Sequence, residues 1–285
     1  MALAAFMVLI MVMSILPAFF WGGSGDDTAE QIDPSMTTPT PDNRYSLGEV
    51  GKLINHPFDS IADGLNMSPP GVAIANYVCT KGLEGTPMER LIYTQPYDLY
   101  GTNISRAYRA AFWDGTQLEM DELSPRKFAF GFIPAPTRYQ GYMVLIRDKN
   151  TCNIMGDPCI LGPRSKVEEA VDVIEDDDAA NSYPPFSGLL EQVDLGAPYQ
   201  IVAQNSPIAH QYYDAVRVAG DGCERTITCI DITDNATACL NELAANTTDS
   251  LECNVTFDQG DLNLTVARIS GDFDAVMNVE CLKPY

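Results

Sequence analysis

Apolar positions divide the chain into three regimes. Residues 1–21 are apolar almost without interruption and carry no charge. Residues 22–44 are polar and rich in Gly, Thr and Pro. From Tyr45 onward, short stretches of alternating apolar and polar residues are broken by Gly, Pro and Asp, the pattern of strands joined by turns with occasional helices.

The first run is about 20 residues long, enough to cross a bilayer as a helix. Phe19, Phe20 and Trp21 stand where an interfacial aromatic belt would lie. An N-terminal membrane anchor over 1–21 and a linker over 22–44 are therefore expected. A cleaved signal peptide fits less well, because the run has no A-x-A-like site and exceeds the usual apolar core of such a signal. No Lys or Arg precedes Arg44, so the basic flank usual on the cytoplasmic side is missing. A hydrophobic helix at the first residue resembles the layout of mature type IV pilins, although Ala5 stands where the bacterial pattern places Glu. That resemblance implies helices bundled in the core of a filament.

The body reads as α+β, in two related antiparallel-sheet and helix halves of ferredoxin-like type, 45–183 and 184–285. At an offset of 128, Pro57-Phe58 matches Pro185-Phe186, Pro70 matches Pro198 and Ala75 matches Ala203. Each copy reads as a short helix, a Pro-bearing turn and a strand, at 72–78 and 199–203. Phe128, Phe130 and Phe132 alternate as on a strand, and 142–146 is its expected hairpin partner. Ser165 and Glu168 form a capping box for a helix over 165–175. Gly220-Asp221-Gly222 marks a hairpin, 236–245 a helix, 258–261 a second hairpin turn and 273–279 a closing helix.

Charge narrows the partners. Thirty-nine acidic residues against 17 basic give a formal net charge of -22, which repels phosphate backbones and argues against nucleic acid. The eight cysteines, Cys79, Cys152, Cys159, Cys223, Cys229, Cys239, Cys253 and Cys281, are even in number and lie outside the apolar run. They predict up to four disulfides in an oxidising compartment. Cys152 and Cys159 could close a small loop, whereas Cys223 and Cys229, on one strand, stand too far apart to pair. Six N-x-S/T sequons, at Asn66, Asn103, Asn235, Asn246, Asn254 and Asn263, point to covalent glycans on an extracytoplasmic face. On alternation, the last two sit on the polar face of a strand.

Motifs that carry chemistry are sparse. Glu175-Asp176-Asp177-Asp178 lacks the spacing of a calcium loop and reads as a solvated helix end. Asp221, Asp258, Asp261, Asp272 and Asp274 fall in turns. Ser124-Pro125-Arg126-Lys127 matches S-x-x-K without its partner motifs. Only His56 and His210 are available to a metal or a nucleophile. No catalytic, cofactor-binding or metal residue is assigned, and no cofactor is expected. The apolar start, acidic sequon-bearing body and few lysines resemble archaeal cell-surface glycoproteins. The resemblance implies a non-enzymatic, membrane-anchored subunit of a cell-envelope or membrane complex, partnered by lipid or neighbouring apolar helices through 1–21 and by proteins or other copies through its body. The alternatives are a pilus-like filament subunit and, more weakly, an anchored extracellular hydrolase.

Overall fold

The computed structural model describes residues 45–92, 99–132, 136–219, 222–248, 250–258, 260–279 and 282. β-Branched and aromatic runs place the strands where side chains can pack on both faces. In the first half these are β1 (Tyr45–Ser46), β2 (Ile54–Asn55), β3 (Val72–Cys79), β4 (Asn103–Phe112), β5 (Gln117–Ser124), β6 (Lys127–Phe128), β7 (Thr137–Tyr139), β8 (Tyr142–Ile146), β9 (Cys152–Ile154), β10 (Gly156–Asp157) and β11 (Cys159–Gly162). The second half adds β12 (Tyr199–Gln204), β13 (Ala209–Ala219), β14 (Gly222–Ile232), β15 (Leu251–Asp258) and β16 (Leu264–Asp272). The helices are α1 (Ile61–Met67), α2 (Pro87–Ile92), α3 (Arg164–Glu175), α4 (Ser187–Leu190), α5 (Asp234–Ala245) and α6 (Phe273–Met277).

Twelve strands form one sheet, ordered β15-β16-β14-β13-β12-β3-β4-β5-β11-β9-β8-β7. Every neighbouring pair in it is antiparallel. This corrects the expectation of two ferredoxin-like halves. The halves share a single sheet, joined where β12 pairs with β3 in the register Val202↔Ala75 and Ile201↔Asn76. From that seam each side runs outward as a three-stranded meander, β3-β4-β5 or β12-β13-β14, followed by a strand from later in its own half. Alternation along a strand fixes which face a residue takes, and says nothing about which strand lies alongside.

Helices cover both faces. Ile61 and Leu65 of α1, Val167 and Val171 of α3, and Phe186 and Leu189 at α4 pack on Tyr77, Tyr108, Met120 and Val202. On the opposite face, Ala236 and Leu240 of α5 and Val276 of α6 pack on Tyr199, Ile201, Tyr212, Ile227 and Ile269. Over the first half that second face is closed by Leu47, Val50, Phe128 and Phe130. β12 lies under both layers and is buried from Tyr199 to Ala203. Its Gln200, fully buried, donates from Nε2 to Leu195 O (2.6 Å) and Ala197 O (2.8 Å) and accepts from Ile61 N (3.3 Å) at the start of α1.

Several local expectations change. Ser165 lies inside α3, whose N-cap is Pro163, so Ser165 and Glu168 do not cap it; Glu168 pairs with Arg164 at 2.7 Å instead. Phe128, Phe130 and Phe132 do not line a hairpin with 142–146. Their rings pack in sequence, the first pair tilted and the second edge-to-face, 4.9 and 6.1 Å between centroids, while β8 pairs with β7 and β9. The disulfide framework is also corrected. Cys79, Cys152, Cys159, Cys223, Cys229 and Cys253 are free thiols. Cys152 and Cys159 lie on separate strands in the register Cys152↔Gly162, and close no loop. Cys239 is disulfide-bonded, and Cys281 falls outside the described residues. Among the described residues no helix is long and apolar enough to cross a membrane, so the expected single transmembrane helix has no counterpart there. The run that motivated it, 1–21, also lies outside them.

Candidate functional site

The densest polar cluster lies on the face of β5 turned away from α1 and α3. Alternation sends Leu118 and Met120 to the helical layer and Glu119 and Asp121 to the other side. In the register Asp121 lies between Ala107 of β4 and Cys159 of β11. Tyr100 donates its hydroxyl to Asp121 Oδ2 (3.1 Å) and accepts from Asn153 Nδ2 (3.1 Å). Arg147 donates to Asn153 Oδ1 and to Leu99 O (2.6 Å). Its guanidinium lies 3.9 Å from the Phe130 ring centroid and 5.1 Å from that of Tyr100. Arg109 holds Glu119 at 2.8 Å.

Burial, then the nearby Glu119 charge, holds the Asp121 carboxyl well above the usual carboxylate range, with Arg109 opposing. Burial likewise raises Tyr100 and the Cys159 thiol. Tyr100, Asp121 and Asn153 are each 0% exposed. Asp121 Oδ1 makes no hydrogen bond among the described residues. A buried acid whose affinity for its proton is raised is the kind of group that general acid catalysis uses. Here it is sealed within the fold, where it ties 99–100 and 147 to the sheet.

The second half has a counterpart on the same side. Arg225 pairs with Asp214 at 2.8 Å, both side chains 5% exposed. Arg225 Nη2 and the Tyr212 hydroxyl both donate to Leu282 O, at 3.2 and 2.9 Å. The cluster holds Leu282 against β13 and β14. Sequence reading missed both clusters. Glu119 and Asp121 alternate with Leu118 and Met120 as solvent-facing acids do, so nothing local marks them as interior.

The remaining candidates lie at the surface. A shallow hollow of about 560 Å³ is lined by Pro87, Ser250, Asp272, Phe273, Asp274 and Ala275. Among the described residues, no group of three or more His, Cys, Asp and Glu is placed to hold a metal. Glu175 is bound by Lys52 and by the Tyr142 hydroxyl, and Asp176 to Asp178 are exposed in the turn after α3. His56 Nδ1 lies 3.1 Å from Pro57 O, and His210 Nδ1 lies 2.8 Å from Asn205 Oδ1. The structure does not bring these groups together with the buried clusters.

No family model and no curated protein sequence matches the chain. Solved structures of TP0453 are similar in part. Its crystal form III is 11% identical with a TM-score of 0.47, covering 78% of this chain and 98% of that one. Crystal form I is 10% identical with a TM-score of 0.46, covering 77% and 96%. A likeness this distant carries no argument about function.

The sequons sort by environment. Asn103, Asn235, Asn246, Asn254 and Asn263 are exposed, and Asn66 on α1 is half-buried. Four of the exposed ones lie at one end of the sheet, on α5, its C-terminal cap, β15 and the turn into β16. Asn254 lies on the outer face of β15, whereas Asn263 is in the turn, at φ 44°, and its Thr265 faces the core at 3% exposed. The alternation of Leu264 and Val266 misled here. Those side chains are only half-buried, and Thr265, Ala267 and Ile269 take the interior face.

Proposed function

We propose that the chain is a non-enzymatic structural or accessory subunit of a cell-envelope or membrane complex. The apolar segment 1–21 tethers it to the membrane, and the body is displayed on the extracytoplasmic side by the 22–44 linker. The observation that carries this reading is the exposure of four sequon asparagines at the β15 end of the sheet. Two features accompany it. The strongest polar clusters are spent inside the fold, each tying a chain segment to the sheet. The excess of 39 acidic over 17 basic residues keeps a displayed body soluble and away from nucleic acid.

Washing membranes from the source cells at alkaline pH tests the tether. The full chain stays in the membrane pellet, and a variant lacking residues 1–21 appears in the soluble fraction. Release of the full chain by the wash contradicts the reading.

A further inference from the structure

The six sequons are not equivalent once folded. A glycosyl acceptor of this kind is read through two groups, the Asn amide and the hydroxyl two residues on. At five of the six, the fold occupies or hides one of them. Ser68, after Asn66, is 0% exposed and its hydroxyl lies 2.8 Å from Gly64 O and 3.1 Å from the Tyr108 hydroxyl. Ser105, after Asn103, is bound to Glu122 Oε2 at 2.8 Å and to Glu122 O at 3.1 Å. Thr237, after Asn235, donates to Thr233 O at 3.0 Å inside α5. Thr248, after Asn246, is paired with the Ser250 hydroxyl at 3.2 Å. Asn263 donates its own amide to Asp231 Oδ1 at 3.0 Å, and its Thr265 is buried.

Asn254 differs at every point. Asn254 and Thr256 are both exposed, and neither side chain makes a hydrogen bond among the described residues. Both project from the same face of an extended strand, because successive side chains alternate. β15 is the edge of the sheet among the described residues; Thr248 takes the outer backbone groups of Leu251, and the strand beyond it is offered to an enzyme that grips the segment as a strand. Across the ladder Asn254 faces Arg268, itself exposed, so among the described residues no helix covers this face.

We propose that Asn254 is the principal glycan acceptor of the folded protein, modified after the body has formed. The donor class is a glycosyl diphosphate carried on a lipid. A bond forms between Asn254 Nδ2 and the anomeric carbon of the sugar. The bond from that carbon to the diphosphate oxygen breaks, and its electron pair leaves with the diphosphate. The amide nitrogen loses one proton to a base of the transferase. This inference rests on the extracytoplasmic reading above, since the acceptor must meet the donor outside the cell.

Peptide-level mass mapping of the full chain from its source cells tests it, with Thr256→Ala and Asn66→Gln variants expressed there. The expected result is highest occupancy at Asn254. T256A, a change at an exposed hydroxyl, loses one glycan mass, and N66Q leaves the mass pattern of the other sites unchanged. Equal occupancy across the six sequons overturns the proposal, because modification would then precede folding. Glycans elsewhere with Asn254 bare also overturn it, while leaving the body's location intact. A chain with no glycan at all overturns it too, and the location is then decided separately by accessibility on intact cells.

Discussion

Ionising Asp121 would place a second negative charge beside Glu119 with no water to solvate either. The folded carboxyl therefore titrates above its value in the open chain. Well below the ordinary carboxylate range both states are protonated and the group costs nothing. As pH rises toward the raised value, the unfolded chain ionises first and stability is lost. Asp121→Asn keeps the shape, still accepts from Tyr100 and never ionises. Urea denaturation should show the variant more stable than the parent at pH 8, and the gap should close as the pH falls below the ordinary carboxylate range. Arg225 presents the opposite case. Its removal leaves Asp214 charged, unpaired and 5% exposed. Arg225→Ala should cost roughly 3–5 kcal/mol in the same assay, and loosening of the segment at Leu282 should appear as faster amide exchange in β13 and β14.

Among the elements, α1 shows how packing overrides propensity. Its first turn is closed by a capping box between Ser60 and Asp63, Ser60 N donating to Asp63 Oδ2 at 2.9 Å. Gly64 sits mid-helix, where Ala is ordinarily better by about 1 kcal/mol. A Cβ at Gly64 would fall 2.3 Å from the Tyr108 ring, and that ring is fully buried. Gly64→Ala should therefore lower the melting temperature, by roughly 2–4 °C for each kcal/mol of a clash costing about 1–3 kcal/mol; a rise would show that α1 sits farther from β4. Such elements were partly legible in the sequence. The strands at 72–78 and 199–203 and the helices over 165–175 and 236–245 announce themselves by local period. The partners of those strands do not, because the β3–β12 seam joins residues more than a hundred apart through groups, Ala75 and Val202, that carry no pairing label. The cysteines were misread for a related reason. Their even number says nothing of distance, and the strands bearing Cys152 and Cys159 hold them out of register.

At the scale of the molecule, one sheet under two covering layers leaves its polar clusters inside and five of its six sequon asparagines exposed. The candidate site was the least legible part of the chain. Glu119, Asp121, Tyr100, Asn153 and Arg147 converge from β5, β9 and intervening segments, and only the closed fold makes them neighbours. The sequons were legible as motifs, but not their accessibility. Ser68 and Thr265 have turned inward, while Asn254 stands free at an open edge, a place where a bulky substituent also discourages strand-to-strand association. On the proposed reading, this body is carried outside the cell on the apolar segment 1–21. Protease shaving of intact source cells, followed by mass spectrometry of the released peptides, tests that claim most directly. Peptides cut at exposed stretches such as 176–178 and 260–263 are expected in the supernatant without lysis, with residues 1–21 retained in the membrane; protection of the whole body until the cells are broken would contradict it.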